Sequence, residues 1–211
     1  MSKTATKPVR KVIQGPVAQA QILDAVDELF YKEGARAVGV DAVAKHAGVN
    51  KMCLYRQFES KDGLLLRYLE RRDQRFWDYF AESQVQYPDE PRRQLLNFFQ
   101  AVMERTQQPG YRGCAFVNIA TEFPDREHPA RQLVAGNKIK LLGHLQELAA
   151  RAGAADPQTL AHSLGLLLEG AYTASQTYPA GHPILAALPQ AAATLVDAAC
   201  AACHQPVNAT E

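Results

Sequence analysis

Several features that mark other classes of protein are missing from this sequence of 211 residues. No apolar run approaches the ~18 residues that cross a bilayer, and the first residues lack the apolar core of a signal peptide. We therefore expect a cytoplasmic protein with no membrane partner. No run of alternating Val, Ile and Thr stands between hairpin turns, so strands are not expected. A repeat of fixed period and a low-complexity tract are also missing.

Short catalytic motifs are missing as well. The sequence has no Gly-x-Ser-x-Gly, His-Glu-x-x-His or Gly-x-x-x-x-Gly-Lys, and no His, Cys and carboxylate set stands at catalytic spacing. We therefore predict no catalytic residues, no metal ligands and no cofactor. An active site scattered along the chain would leave no such pattern.

Cysteine is scarce, but two of the four cysteines form the pattern Cys200-Ala-Ala-Cys203-His204. This pattern matches the motif for covalent attachment of a c-type haem. Such attachment belongs to exported proteins, and bound haem would show as a Soret band in the purified protein. The remainder of a haem domain is missing here. An alternative is a cytoplasmic thiol-based redox or metal-responsive protein that uses Cys200 and Cys203, although that compartment favours reduced thiols.

Charge is unevenly distributed, although the net charge is only +1. Residues 1–75 hold 14 Lys and Arg against 9 Asp and Glu, whereas residues 76–211 hold 9 against 13. The basic front of the chain therefore suits a phosphate-rich partner. Residues 1–15 form a basic arm that either enters a minor groove or serves as a disordered, solubilising tail. The basic residues of this arm are Lys3, Lys7, Arg10 and Lys11.

The stretch that begins at Val40 carries the clearest functional pattern. Apolar residues recur there at three- and four-residue steps, which places them on one side of a short helix. Gly48 permits a sharp turn with positive φ, and Asn50 can cap a second helix whose Leu54 and Phe58 face inward. Two short helices joined by such a turn are typical of a DNA-reading helix-turn-helix, although an ordinary helical hairpin has the same pattern.

Helical patterns extend over the remainder of the chain, so we predict an all-α fold. A first helix after Gly15-Pro16 precedes the helix-turn-helix and completes an N-terminal DNA-binding domain over residues 16–60. A helical domain follows over residues 61–204, with a tail at 205–211. Prolines, glycines and caps divide this second domain into helices at about 62–83, 91–108, 112–123, 129–152, 157–177 and 188–204.

Two segments resemble the tetracycline-repressor (TetR/AcrR) family. They are residues 22–34 and 43–64, and within the second the pattern Leu54-Tyr55-x-x-Phe58-x-x-Lys61 is specific. Residues 112–118 and 122–125 also look like members of this family. The resemblance implies a homodimeric, all-helical regulator that binds a palindromic operator in double-stranded DNA. It further implies a repressor that a small-molecule effector releases, with an activator role left open.

The resemblance also assigns DNA contacts by position. Tyr55 and Lys61 match residues that usually hold phosphates, although Tyr55 could instead pack under the turn and Lys61 could simply be solvated. Gly39 stands where the family often has Ser or Thr, so no hydroxyl reaches phosphate there. The predicted DNA-binding residues are Lys45, Asn50, Lys51, Met52, Cys53, Tyr55, Arg56, Gln57 and Lys61.

Aromatic residues concentrate where the family places its ligand cavity, and a few polar residues could anchor a mostly apolar effector. The same residues are also typical of a helical core, which is the commoner role for any one of them. The predicted ligand-binding residues are Trp77, Phe80, Phe98, Phe99, Val102, Met103, Tyr111, Phe116, Asn118, Glu122, Phe123, His144 and Tyr172.

Small residues such as Gly165, Ala171 and Ala198 recur in the last two predicted helices. They would let helices approach closely, and the resemblance implies a four-helix interface between two subunits over residues 157–204. The alternative is that these helices pack only inside one subunit.

Overall fold

The computed structural model describes residues 15–179 and 181–201, and all regular secondary structure in these ranges is helical. The predicted all-α fold is confirmed. The α-helices are α1 (Gly15–Glu33), α2 (Val40–His46), α3 (Lys51–Phe58), α4 (Lys61–Val85), α5 (Pro91–Thr106), α6 (Ala115–Glu122), α7 (Pro129–Arg151), α8 (Pro157–Thr177) and α9 (Leu188–Ala201). A 3₁₀ helix at Pro183–Ala187 occupies part of the predicted loop between α8 and α9. His182 Nδ1 accepts a hydrogen bond from the Ile184 amide and so caps it.

The chain divides into two compact units between Leu64 and Leu65. In the first unit α1, α2 and α3 pack on one another through apolar side chains spaced at helical intervals. Leu54 and Phe58 of α3 are buried, as the sequence predicts for the inward face of the second short helix. The other buried apolar residues of this unit include Ala18, Ile22, Ala25, Val26, Phe30, Ala35, Val38, Val43 and Ala44.

The second unit is built around α5, α7, α8 and α9, which contact one another extensively. Its core consists of the inward faces of these helices together with Phe80 of α4. The fully buried members are Leu95, Phe98, Phe99, Leu145, Ala149, Leu164, Leu168, Ala192 and Val196.

Local side-chain bonds fix where several helices begin. Asn50 Oδ1 accepts from the Cys53 amide at 2.7 Å, Ser60 Oγ accepts from the Gly63 amide at 2.9 Å, and Asp156 Oδ1 accepts from the Thr159 amide at 3.0 Å. Each bond satisfies an amide that has no partner within its helix. The sequence therefore places these helix starts correctly.

We predict that Gly63→Ala destabilises the protein by about 1–3 kcal/mol, as overpacking does. A Cβ at Gly63 would collide with the carbonyl oxygen of Phe58, and backbone cannot rotate away. Gly143→Ala within α7 is the matched control, because its Cβ would meet nothing within 4 Å. That change should stabilise the helix by about 0.5–1 kcal/mol. Urea unfolding of both variants tests the prediction, and equal effects would contradict it.

One segment is longer and more apolar than we expect for this chain. Residues Pro183–Cys200 have a mean hydropathy of 1.4 over 18 residues, which passes the length and composition test for a membrane span. The statement that no run approaches this length is therefore wrong. The window joins the 3₁₀ helix to α9, and Leu188, Ala192 and Val196 pack into the core of the second unit. Because many small alanines raise its hydropathy, this weak signal does not indicate a membrane protein.

Candidate nucleic-acid interface and ligand cavity

Helix α3 presents a polar and apolar mixture on its outer face. Met52 is 72% exposed and Tyr55 is 41% exposed, while Lys51 and Arg56 are also at the surface. Buried Leu54 anchors the opposite face of the helix. Tyr55 therefore does not pack under the turn, and its ring and hydroxyl are available to a partner.

The turn before α3 depends on Gly48, whose φ is +67°. A side chain at this position would be strained by the backbone conformation, because only glycine adopts positive φ without a steric penalty. Gly39 begins α2 with extended backbone and with no side-chain bond to the helix amides. The sequence analysis anticipates both features.

Lys51 is tied to α2 by an ion pair. Its Nζ lies 3.0 Å from Asp41 Oδ1, and hydrogen bonding to Asp41 raises the pKa of Lys51 above its usual value. Both side chains are exposed, so the pair contributes little to folding stability. A phosphate that meets Lys51 must compete with this carboxylate.

Other predicted DNA contacts also have neighbours within the first unit. Lys61 Nζ donates to the Arg36 carbonyl oxygen at 3.2 Å, so this lysine is not merely solvated. Gln57 lies beside the start of α1, since a Cβ on Gly15 would stand 3.4 Å from Gln57 Nε2. Asn50 uses its side-chain oxygen to cap α3. Of the remaining predicted positions, Lys45 is exposed and Cys53 is half-buried.

Many of the predicted ligand residues form a packed aromatic cluster instead of lining a space. The Phe80 and Phe98 ring centroids are 4.9 Å apart, and those of Phe98 and Phe99 are 5.6 Å apart. The Trp77 and His144 ring centroids are 4.9 Å apart, with the two planes tilted by 54°. Phe80, Phe98, Phe99, Val102, Phe116 and Tyr172 are all buried. These contacts are those of a hydrophobic core.

The other predicted ligand residues are half-buried and dispersed. Asn118 Nδ2 donates to the Arg112 carbonyl at 2.8 Å, and its Oδ1 accepts from Gln176 Nε2 at 3.2 Å. Phe123 stacks on His128 at 4.8 Å between centroids. Met103, Tyr111 and Glu122 are also partly exposed.

A cavity of about 640 Å³ lies between α6, α7 and α8. Its walls are mainly aliphatic, and none of the predicted ligand residues lines it. The lining residues are Val117, Ala120, Val134, Lys138, Leu141, Leu142, His162, Gly165, Leu166, Leu168 and Glu169. Such a volume suits a small apolar molecule. A smaller space of about 270 Å³ includes Phe116, Asp73 and Lys140 among its lining residues.

A polar cluster adjoins this α6–α8 cavity. Lys138 Nζ lies 2.6 Å from Glu169 Oε1 and 3.6 Å from Cys114 Sγ, and it stands 4.9 Å from the centre of the Tyr172 ring. Burial raises the pKa of Tyr172 well above its usual value, so its phenol stays neutral. The Lys138 side chain is only 22% exposed. The cluster is therefore a partly desolvated ion pair, Lys138 with Glu169, whose ammonium lies beside a thiol.

The lining residues are not predictable from the sequence, because helical periodicity shows which side chains share a face but not which neighbour that face meets. The pattern that could have found them is the pair Lys138 and Leu142, one turn apart on α7, opposite Glu169 and Gly165 on α8. Only a prediction of the α7–α8 contact would have linked the two pairs.

The rival cysteine motif falls mostly beyond the part of the chain that the structure describes. Cys203 and His204 lie outside it, as does the basic arm up to Gln14, and Cys200 is half-buried in α9. Among the described residues, no group of three or more His, Cys, Asp and Glu side chains is placed to hold a metal ion.

Known proteins match this chain along most of its length. Residues 22–68 fit the model of bacterial regulatory proteins of the tetR family, and residues 91–190 fit that of the tetracyclin repressor-like C-terminal domain. The HTH-type transcriptional regulator YjdC of Escherichia coli is 25% identical over 143 residues, which are 68% of this chain and 75% of YjdC.

Solved structures agree with these matches. SCO4454, a TetR-family transcriptional regulator from Streptomyces coelicolor, superimposes with a TM-score of 0.80 and 27% identity over 90% of this chain and 97% of its own. The protein sav143 from Streptomyces avermitilis, described as a tetr-transcriptional regulator, is 31% identical with a TM-score of 0.76, over 86% of this chain and 97% of its own. A helix-turn-helix unit, a helical second unit and these relatives lead to one conclusion: the chain belongs to the TetR family of transcriptional regulators, and it is not an enzyme.

Proposed function

We propose that this regulator acts as a cytoplasmic homodimeric repressor that binds a palindromic operator and releases it when a small, mostly apolar effector binds. The single observation that supports DNA reading best is the outer face of α3, where Met52, Tyr55 and Arg56 are exposed above a buried anchor. Residues 16–60 would read DNA, and residues 61–204 would bind the effector and the second subunit. Lys45, Asn50, Lys51, Cys53, Gln57 and Lys61 complete the proposed contact set.

Selection of bound sequences from a random pool of duplex DNA tests this proposal. One subunit reads one half-site, so a two-fold dimer should enrich a palindrome with half-sites separated by about one helical turn or a multiple of it. Enrichment of unrelated sequences would overturn the proposal. Fusion of the recovered operator to a reporter then separates the two directions of control, because removal of a repressor raises expression and removal of an activator lowers it.

The α6–α8 cavity is the proposed effector site, in place of the aromatic cluster around Phe98. Its volume and aliphatic walls support an apolar ligand, whereas the cluster is filled by its own rings. α4 is one helix from Lys61 to Val85 and carries Trp77 and Phe80, so a rearrangement of the second unit could move it as a lever. A coupling of ~1–3 kcal/mol would weaken DNA binding ~5–150-fold.

We predict that Leu142→Phe lowers the affinity for any small apolar effector identified by calorimetric screening of the purified chain. Leu142 lines the cavity, so the larger ring would occupy ligand volume. Ile139→Phe is the matched control on α7, because Ile139 is 69% exposed and is not among the lining residues. Titration of both variants measures the effect. Operator DNA must also weaken effector binding, and by the same factor as that by which the effector weakens DNA binding.

We predict that Ala198→Arg dissociates the proposed dimer, since this exposed residue of α9 would place a charge in the interface. Gly165 and Ala171 are poor probes: a Cβ on Gly165 would stand 2.6 Å from Leu142 Cδ2, and Ala171 is buried within its own subunit. Ala135→Arg on the exposed side of α7 is the control. Light scattering at micromolar concentration should give a dimer for the control and a monomer for Ala198→Arg; a monomeric wild type would refute the dimer.

A further inference from the structure

The α6–α8 cavity and the polar cluster beside it combine three features at one place: aliphatic walls, the ammonium of the Lys138–Glu169 ion pair, and a thiol. Cys114 immediately precedes α6, and its side chain is half-buried against the core of the second unit. Lys138 contacts the thiol and also lines the cavity. A ligand in the cavity is therefore adjacent to a group that can polarise it and close to a group that can react with it.

From this arrangement we infer that the cavity captures apolar α,β-unsaturated carbonyl compounds through a covalent bond to Cys114. The inference rests on the proposed effector cavity for the placement of the ligand, and it does not depend on how DNA binding responds. The apolar tail of the ligand lies along the aliphatic walls, its carbonyl oxygen accepts a hydrogen bond from Lys138 Nζ, and its β-carbon faces Cys114 Sγ.

The distances suit such a reaction. The carbonyl oxygen and the β-carbon of an enone are separated by three bonds, and the ammonium and the thiol that they would meet are 3.6 Å apart. Glu169 holds Lys138 at 2.6 Å, which limits the positions that the ammonium can take beside the thiol. Glu169 offsets part of the charge of Lys138, but the ammonium is mostly shielded from water, so water competes less for the N–H that would donate to the carbonyl oxygen.

The addition is balanced without an oxidant or a reductant. A sulfur electron pair forms the C–S bond at the β-carbon, and the carbon–carbon π pair moves to give an enolate whose oxygen faces Lys138. The thiol proton passes to water, and water returns a proton to the α-carbon. The positive charge of Lys138 favours the step because negative charge develops on the carbonyl oxygen in the transition state.

Cys53 supplies an internal reference, since it is also half-buried but lies on α3, in the other unit. The purified full chain is treated with non-3-en-2-one, and the rate of adduct formation at each cysteine is followed by peptide mass spectrometry. We expect Cys114 to react at least about tenfold faster than Cys53. This factor is set below the ~10²–10³ in rate that one donor contributes in an enclosed oxyanion site. Equal rates at the two cysteines would overturn the inference.

Three variants test the role of the ammonium. Lys138→Gln should remove the advantage of Cys114, Lys138→Arg should keep it because the positive charge remains, and Lys140→Gln should leave it unchanged. Lys140 is the matched control because its Nζ stands over the Trp77 ring at 4.1 Å. Urea unfolding of each variant reports whether the second unit is intact, and the Cys53 rate serves as the reference for the reagent. A Lys138→Gln protein that retains the Cys114 advantage would contradict the proposal.

The saturated analogue, nonan-2-one, tests whether the ligand reaches the thiol through the cavity. It cannot form an adduct, but it should protect Cys114 from the enone without protecting Cys53. Lack of protection at saturating ketone would refute capture from the cavity. These measurements contain no DNA, so a failure of the proposed repressor mechanism would leave their outcome unaffected, and a failure here would leave the operator-binding experiments intact.

Discussion

Operator affinity is expected to fall by ~10³–10⁵ when salt is raised from 50 to 200 mM, the change that ~6–10 phosphate contacts produce. Two subunits would each contribute Lys51, Tyr55 and Lys61, and the basic arm would add to them. Each phosphate that a basic side chain neutralises releases counterions from the duplex, so added salt opposes binding. Fluorescence anisotropy on the selected operator measures the slope, and a nearly flat response would argue against this docking mode.

Single variants divide the interface into phosphate and base contacts. Tyr55→Ala should weaken binding to matched and mismatched operators alike, because a phosphate contact carries no sequence information. Gln57→Ala should change the sequence preference if its side chain leaves the start of α1 and reaches a base edge. Equal behaviour of the two variants on both operators would show that this division is incorrect.

The ion pair between Lys51 and Asp41 gives the salt experiment a sharper control. Lys51→Gln should lower affinity and reduce the salt slope by about 1 for each phosphate that the lysine no longer neutralises. Asp41→Asn should instead strengthen binding, because it removes both the competitor for Lys51 and a negative charge near the DNA. If Asp41→Asn weakens binding with its fold intact, then Lys51 depends on Asp41 for its position.

Phe98→Ala is expected to destabilise the protein by about 3–5 kcal/mol, the range for removal of a large buried aromatic side chain. Phe98 is fully buried and its ring contacts the rings of Phe76, Phe80 and Phe99. The surrounding rings cannot close over the vacated volume. The free-energy cost of the cavity therefore adds to the loss of the favourable transfer of the Phe98 side chain from water to the core. Urea unfolding measures the change in the free energy of unfolding.

Leu142→Ala is the matched comparison for this prediction. Leu142 is half-buried and already lines the α6–α8 cavity, so its truncation removes less buried area and creates no new enclosed void. We expect a smaller loss of stability and a larger loss of effector affinity than for Phe98→Ala. The reverse result, a stable Phe98→Ala protein that cannot bind effector, would return the effector site to the aromatic cluster.

Sequence patterns alone predicted the helices, their starts and the two short helices of the helix-turn-helix. These features depend on residues within one or two turns of one another: the Asn50 cap is three residues from its amide, and Gly48 is next to the turn that it permits. The buried positions of α3 follow from spacing in the same way, because Leu54 and Phe58 are one turn apart. Local geometry therefore sufficed for all of them.

Which apolar residues fill the core and which line a cavity depends on how the helices pack together. In the sequence, Trp77, Phe98 and Leu142 are each simply an apolar residue of a helix. Their roles differ because of the helices against which each one packs. Cys114, Lys138 and Glu169 come from three helical segments far apart in the chain and meet only when α6, α7 and α8 are assembled. Helical periodicity orients a side chain on its own helix, but close packing between distant segments determines what that side chain contacts.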